Sequence, residues 1–115
     1  MKLVTQEQQI SRQQLQEMAE KMFHRIVKTV IDVKQEVMVV DAGMHADEEA
    51  FLIETGSLQE NLWGINLHPD KIGNEFIEFD SIINIRPSQG NRSRNVEDPA
   101  IQKKIQHIVN KLVIQ

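Results

Sequence analysis

The chain has 115 residues, 40% of them apolar and 26% charged, which allows one ordinary globular core and argues against a disordered chain. It has no cysteine, so disulfides, thiolate zinc sites and thiol nucleophiles are excluded, and a reducing, cytoplasmic setting is expected. The net charge of −4 argues against a duplex-DNA binder. No apolar run is long enough to span a bilayer, and the start MKLVTQEQQISRQQ does not read as a signal peptide.

The predicted elements follow in chain order. The Gln-rich tract 1–10 is expected to be loosely ordered, and residues 11–115 to form a single α+β domain. Ser11 with Gln14 is a capping box, and Leu15, Met18, Ala19, Met22, Phe23 and Ile26 recur at helical spacing. This predicts a helix from Arg12 to Phe23. Val27, Val30, Ile31 and Val33 are β-branched and favour strands. With VMVVDAGM after Lys34-Gln35-Glu36 they predict a hairpin with arms near 25–33 and 37–44, the alternative being a continued helix over 26–40. AFLIET at 50–55 reads as a third strand, closed by a turn at Gly56-Ser57. LWGINL at 62–67 reads as a fourth, stopped by Pro69. EFIEF and SIINI, at 75–79 and 81–85, read as one long strand or two short ones. Asp98-Pro99 starts a helix, and Ile101, Ile105, Ile108, Val109, Leu112 and Val113 supply its apolar stripe. Short connections imply antiparallel pairing. The predicted architecture is a single two-layer α+β domain with an N-terminal helix, an antiparallel sheet of four to five strands, and a C-terminal helix.

Charge is unevenly placed. Residues 41–80 carry ten acidic groups against Lys71 alone, while residues 81–115 carry six basic groups against two acidic ones. The two segments either neutralise each other within the fold or form opposing walls of a polar cleft.

Long, distinctive stretches, GMHADEEAFLIETGSLQENLWGINLHP at 43–69 and FIEFDSIINIRPSQGNRSRNVEDP at 76–99, resemble a family of short bacterial proteins of unknown function. The resemblance extends to the C-terminal helix. It implies no activity, so function must be argued from chemistry.

IRPSQGNRSR, 85–94, holds Arg86, Arg92 and Arg94, three of the five arginines, and no acid. Pro87 stops strand pairing, and Gly90 and Asn91 suit a positive φ. Such a loop can turn N–H groups inward, and with Arg86, Ser88, Gln89, Asn91, Arg92 and Ser93 it has the makeup of an anion cradle. The alternative pairs Arg86 internally with Asp80 or a carboxylate of 47–49. MHADEE, 44–49, is the second candidate. On a strand His45, Asp47 and Glu49 would share a face. A metal there would need Asp80, Glu78 or His68 as a further ligand, and no metal is predicted. Trp63, the only tryptophan, either packs in the core or lines a pocket. Asn66 and Asn84 are either satisfied in the core or line a cleft.

Three readings follow. The first is a binding module taking a small anionic or phosphorylated ligand, or an acidic partner segment, through loop 85–94. The second is a small hydrolase or ribonuclease-like phosphodiesterase using His45 with Asp47 or Glu48 and Arg86 or Arg92. The third is a protein-interaction homodimer. No cofactor is indicated.

Overall fold

The computed structural model describes residues 1–22 and 24–115. Helix α1 spans Arg12–Glu20 and starts at the expected capping box. Ser11 Oγ accepts from the Gln14 N–H at 3.0 Å, and Gln14 Oε1 accepts from the Ser11 N–H at 2.9 Å. The helix ends three residues earlier than predicted, and Phe23 lies outside the described residues.

The hairpin is present as β3, Val27–Asp32, and β4, Val37–Val40. Asp32 builds its turn: Oδ1 accepts from the N–H groups of Lys34 and Gln35, both at 2.9 Å, and Oδ2 accepts from Ser57 Oγ at 2.7 Å. Glu36 takes a left-handed φ of 58° there, anchored by ion pairs to Lys104 and Lys111. Hydrogen bonds from Lys111 and Lys104 hold its carboxyl down at about 2.

Five antiparallel strands form the main sheet in the order β1-β4-β3-β5-β6. Strand β1 is Lys2–Val4, β5 is Leu62–Leu67 and β6 is Ile77–Glu78. The strand count is as expected, but its membership differs. Tract 1–10 is anchored rather than loosely ordered: β1 pairs with β4, and Ile10–Ser11 (β2) pairs in parallel with Val113–Ile114 (β7). Val4 and Ile10 are fully buried, so two apolar side chains pin a polar segment at both ends.

The stretch predicted as a third strand is instead helix α2, His45–Glu54. Ala46, Glu48, Glu49, Ala50 and Leu52 are good helix formers. Its buried and half-buried residues His45, Glu48, Glu49, Phe51 and Leu52 fall at i, i+3, i+4, i+6 and i+7, a helical stripe with polar members. Residues 81–85 are also not a strand. Ser81 Oγ accepts from the Ile83 N–H, and a 3-10 turn covers Ile82–Asn84. The Asn84 amide then replaces a neighbouring strand, accepting from the Gly64 N–H at 2.8 Å and donating to Gly64 O at 3.0 Å. Gly64 permits this approach, because a Cβ there would sit 2.6 Å from Ser81 Cβ.

Helix α3, Pro99–Leu112, starts as predicted, with Asp98 Oδ1 accepting from the Ala100 N–H at 2.9 Å. Its Ile105, Ile108, Val109 and Leu112 are fully buried, each worth about 2 kcal/mol relative to exposure. They meet Leu15 and Ala19 of α1 and the sheet face carrying Val27, Ile31, Met38, Trp63 and Ile65. The opposite face, Val30, Val39 and Leu62, packs on Leu52 of α2. The α+β class, the antiparallel sheet and the C-terminal helix are as expected, and α2 adds a layer on the second face. Among the described residues no helix is long and apolar enough to cross a membrane.

Candidate functional site

Loop 85–94 closes tightly. Arg86 and Asn91 exchange backbone hydrogen bonds at 2.7 and 3.2 Å, and Gly90 adopts the positive φ its position suggested, 79°. Its arginines do not converge. Arg86 is buried, stacked 4.3 Å from the centre of the Trp63 ring, and it donates from Nη2 to Leu62 O at 2.7 Å and from Nη1 to Gln59 O. Its partners are backbone carbonyls, neither Asp80 nor a carboxylate of 47–49. Burial lowers its pKa, and nearby Glu49 opposes this. Arg86 and Trp63 are thereby both committed to the interior, which removes them as surface ligand contacts.

The expected N–H cradle exists, and the chain fills it itself. Glu97 Oε2 accepts from the Arg92 N–H at 2.9 Å, the Ser93 N–H at 2.8 Å and Ser93 Oγ at 2.7 Å. These bonds, that from Ser93 Oγ first, hold the Glu97 carboxyl below its usual range. Asn91 is buried, with Nδ2 donating to the carbonyls of Asn84, Ser93 and Asn95, and it braces the loop. Gln89 donates to Glu60 O, and Ser88 is exposed.

The constellation predicted from MHADEE is not assembled, because the segment is helical. At about 100° per residue Asp47 points well away from His45. Glu48 is fully buried and accepts from the Ala42 N–H at 3.0 Å, and desolvation pushes its carboxyl up to about 9. His45 has Lys28, Asp80 and Arg94 as its charged neighbours, not Arg86 or Arg92. The hydrolase reading therefore lacks its orienting carboxylate and its intended arginine.

A different group of side chains does converge. Lys28, Asn66 and Glu78 are cross-strand partners on β3, β5 and β6 and form a polar row. The start of α2 adjoins this row, where His45 Nε2 lies 2.8 Å from Ile65 O. A carbonyl only accepts, so Nε2 carries the proton and Nδ1 keeps its lone pair. Burial, the dominant cause, lowers the His45 pKa and favours the neutral ring. Asp80 and Arg94 close the far side, with Arg94 Nε donating to Asp80 Oδ1 at 2.5 Å. His68 Nε2 lies 3.2 Å from Glu78 Oε1. Together these residues, with His24 and Ile26, line a cleft of about 430 Å³.

Three features of the cleft are chemically unspent. Lys28 forms no ion pair among the described residues. Helix α2 begins at Met44 without a capping side chain, so its leading N–H groups have no side-chain acceptor, while Asp47 in the first turn offsets part of its dipole. Asn66 is 6% exposed and donates to Glu78 Oε1 and Asp80 O, yet its Oδ1 has no partner among the described residues. His68, Glu78 and Asp80 do share the cleft with His45. Even so, no three acidic or histidine side chains among the described residues form a group able to hold a metal ion. Sequence reasoning left Asn66 open between the core and a cleft, and it named neither Lys28 nor Arg94 as a ligand contact. A single lysine inside an apolar strand was the available signal for the first.

A second cleft of about 300 Å³ contains Arg12 and the amides of Asn74, Gln106 and Asn110. There Arg12 is already stacked on Phe76 and bonded to Pro69 O and Lys71 O.

Comparison with known proteins places the chain in a family. The family model described as "Protein of unknown function (DUF5674)" matches residues 3–112, and the chain belongs to that family. No curated protein and no solved structure matches it.

Proposed function

We propose that the chain is a binding module for a small anionic ligand, held in the cleft between the start of α2 and residues 80–94. This keeps the ligand class expected from the sequence and moves its contacts from Arg86, Arg92 and Ser93 to Lys28 and Arg94. The observation that carries the reading is an unpaired, half-buried Lys28 beside the uncapped start of α2. Lys28 has no ion-pair partner among the described residues, and an anion in the cleft would supply one. Arg94 strengthens the site: its Nε is on Asp80, and its terminal nitrogens have no acceptor among the described residues.

The test is titration with inorganic phosphate and acetate, followed by amide chemical shifts and by thermal denaturation. Shifts should centre on Lys28, His45, Ala46 and Arg94. Lys28→Ala should weaken binding by about tenfold or more, as loss of one charge-assisted contact implies. Arg92→Ala should leave it unchanged. If the shifts centred on 91–93 and Lys28→Ala bound as well as the parent, the cleft would be the wrong site.

A further inference from the structure

Resting on that reading, we infer that the ligand is a zwitterion with an apolar substituent, of the class of a free aliphatic or aromatic amino acid. A simple anion would use Lys28 and Arg94 and leave the rest of the cleft idle. The Asn66 Oδ1 is a buried acceptor that no described residue satisfies, and a donor entering the cleft would meet it. Glu78, whose Oε1 accepts from Asn66 Nδ2 at 3.0 Å, stands beside that acceptor and supplies negative charge. An ammonium group meets both requirements and a carboxylate meets neither.

The apolar requirement comes from an adjoining recess of about 210 Å³. It shares Lys28, His45 and Arg94 with the polar cleft and is walled by Met44, Ile82 and Ile83. Met44 and Ile82 are 58% and 68% exposed, large apolar side chains left at the rim. A ligand with its carboxylate at Lys28 and Arg94 can direct its ammonium to Asn66 and its side chain between Met44 and Ile82. Three chemically distinct surfaces thus border one another across the cleft and its recess.

Titration calorimetry at pH 7 with leucine, 4-methylpentanoate, 3-methylbutylamine and glycine separates the contributions. Leucine should bind at least tenfold more tightly than each of the other three. Met44→Ser combined with Ile82→Ser should bring leucine to the affinity of glycine, and an unchanged melting temperature without ligand would confirm the fold. Equal binding of leucine and 4-methylpentanoate would refute the ammonium contact, and an unaffected double variant would refute the apolar one. Phosphate binding that depends on Lys28, with no response to leucine, would overturn this inference and leave the anion-binding reading standing. No response to any anion would overturn both.

Discussion

Replacing Arg86 by alanine tests whether the central arginine of the basic loop serves the fold. The change removes the donors to Leu62 O and Gln59 O and uncovers one face of Trp63. A hydrogen bond from a charged donor contributes about 1.5–3 kcal/mol, and a desolvated cation–ring contact about 1–2 kcal/mol. Against this stands the cost of burying a guanidinium that, among the described residues, pairs with no carboxylate and leaves Nε unpartnered. Setting that cost against one hydrogen bond and part of the ring contact leaves a net loss of about 3 kcal/mol. At about 4 °C per kcal/mol for a chain of this size, the melting temperature should fall by about 12 °C. Trp63 is the only tryptophan, so its fluorescence reports the event directly, alongside far-ultraviolet circular dichroism. Arg92→Ala is the control, because that side chain is exposed. If Arg86→Ala melted within about 2 °C of Arg92→Ala, the structural role derived for Arg86 would be refuted.

Glu48 predicts a pH dependence. Its carboxyl rises from 4.5 to about 9 on folding, so the folded chain retains a proton that the unfolded chain loses. Its stabilising contribution is complete below 4.5 and declines by on the order of 1.4 kcal/mol per pH unit as pH rises towards 9. Glu48→Gln keeps an acceptor for the Ala42 N–H and removes this slope. In urea unfolding its advantage over the parent should therefore grow from pH 5 to pH 8, whereas parallel curves would show Glu48 already ionised in the fold. Gly64→Ala should cost about 1–3 kcal/mol through collision with Ser81, with partial recovery in the double variant Gly64→Ala, Ser81→Gly. Chemical denaturation of the four species measures the coupling, and its absence would mean the strand shifts away freely.

Local signals in the sequence were sufficient wherever the physics is local. The Ser11 capping box, the Asp98-Pro99 start of α3, the β-branched hairpin and the Gly90 turn each depend on residues a few positions apart, and each is present. The errors share one cause. Helix α2 was hidden because its buried stripe includes His45 and Glu48, polar groups that only tertiary contacts make tolerable there. Strands β1 and β2 were hidden because their pinning residues, Val4 and Ile10, flank a polar tract, and burial comes from partners more than 30 residues away. The 81–85 segment has strand composition, yet one asparagine amide pairing with Gly64 decided otherwise.

The candidate site divides in the same way. Sequence by itself determined that a basic loop follows an acidic segment and that Gly90 suits a left-handed turn within it. Only the tertiary structure decided that Glu97 accepts from the loop's N–H groups, that Arg86 turns inward onto Trp63, and that Arg94 faces Asp80. Lys28, Asn66 and Glu78 meet through strand register alone. Register is set by the hydrophobic packing of both sheet faces, a global property that spacing along the chain does not contain.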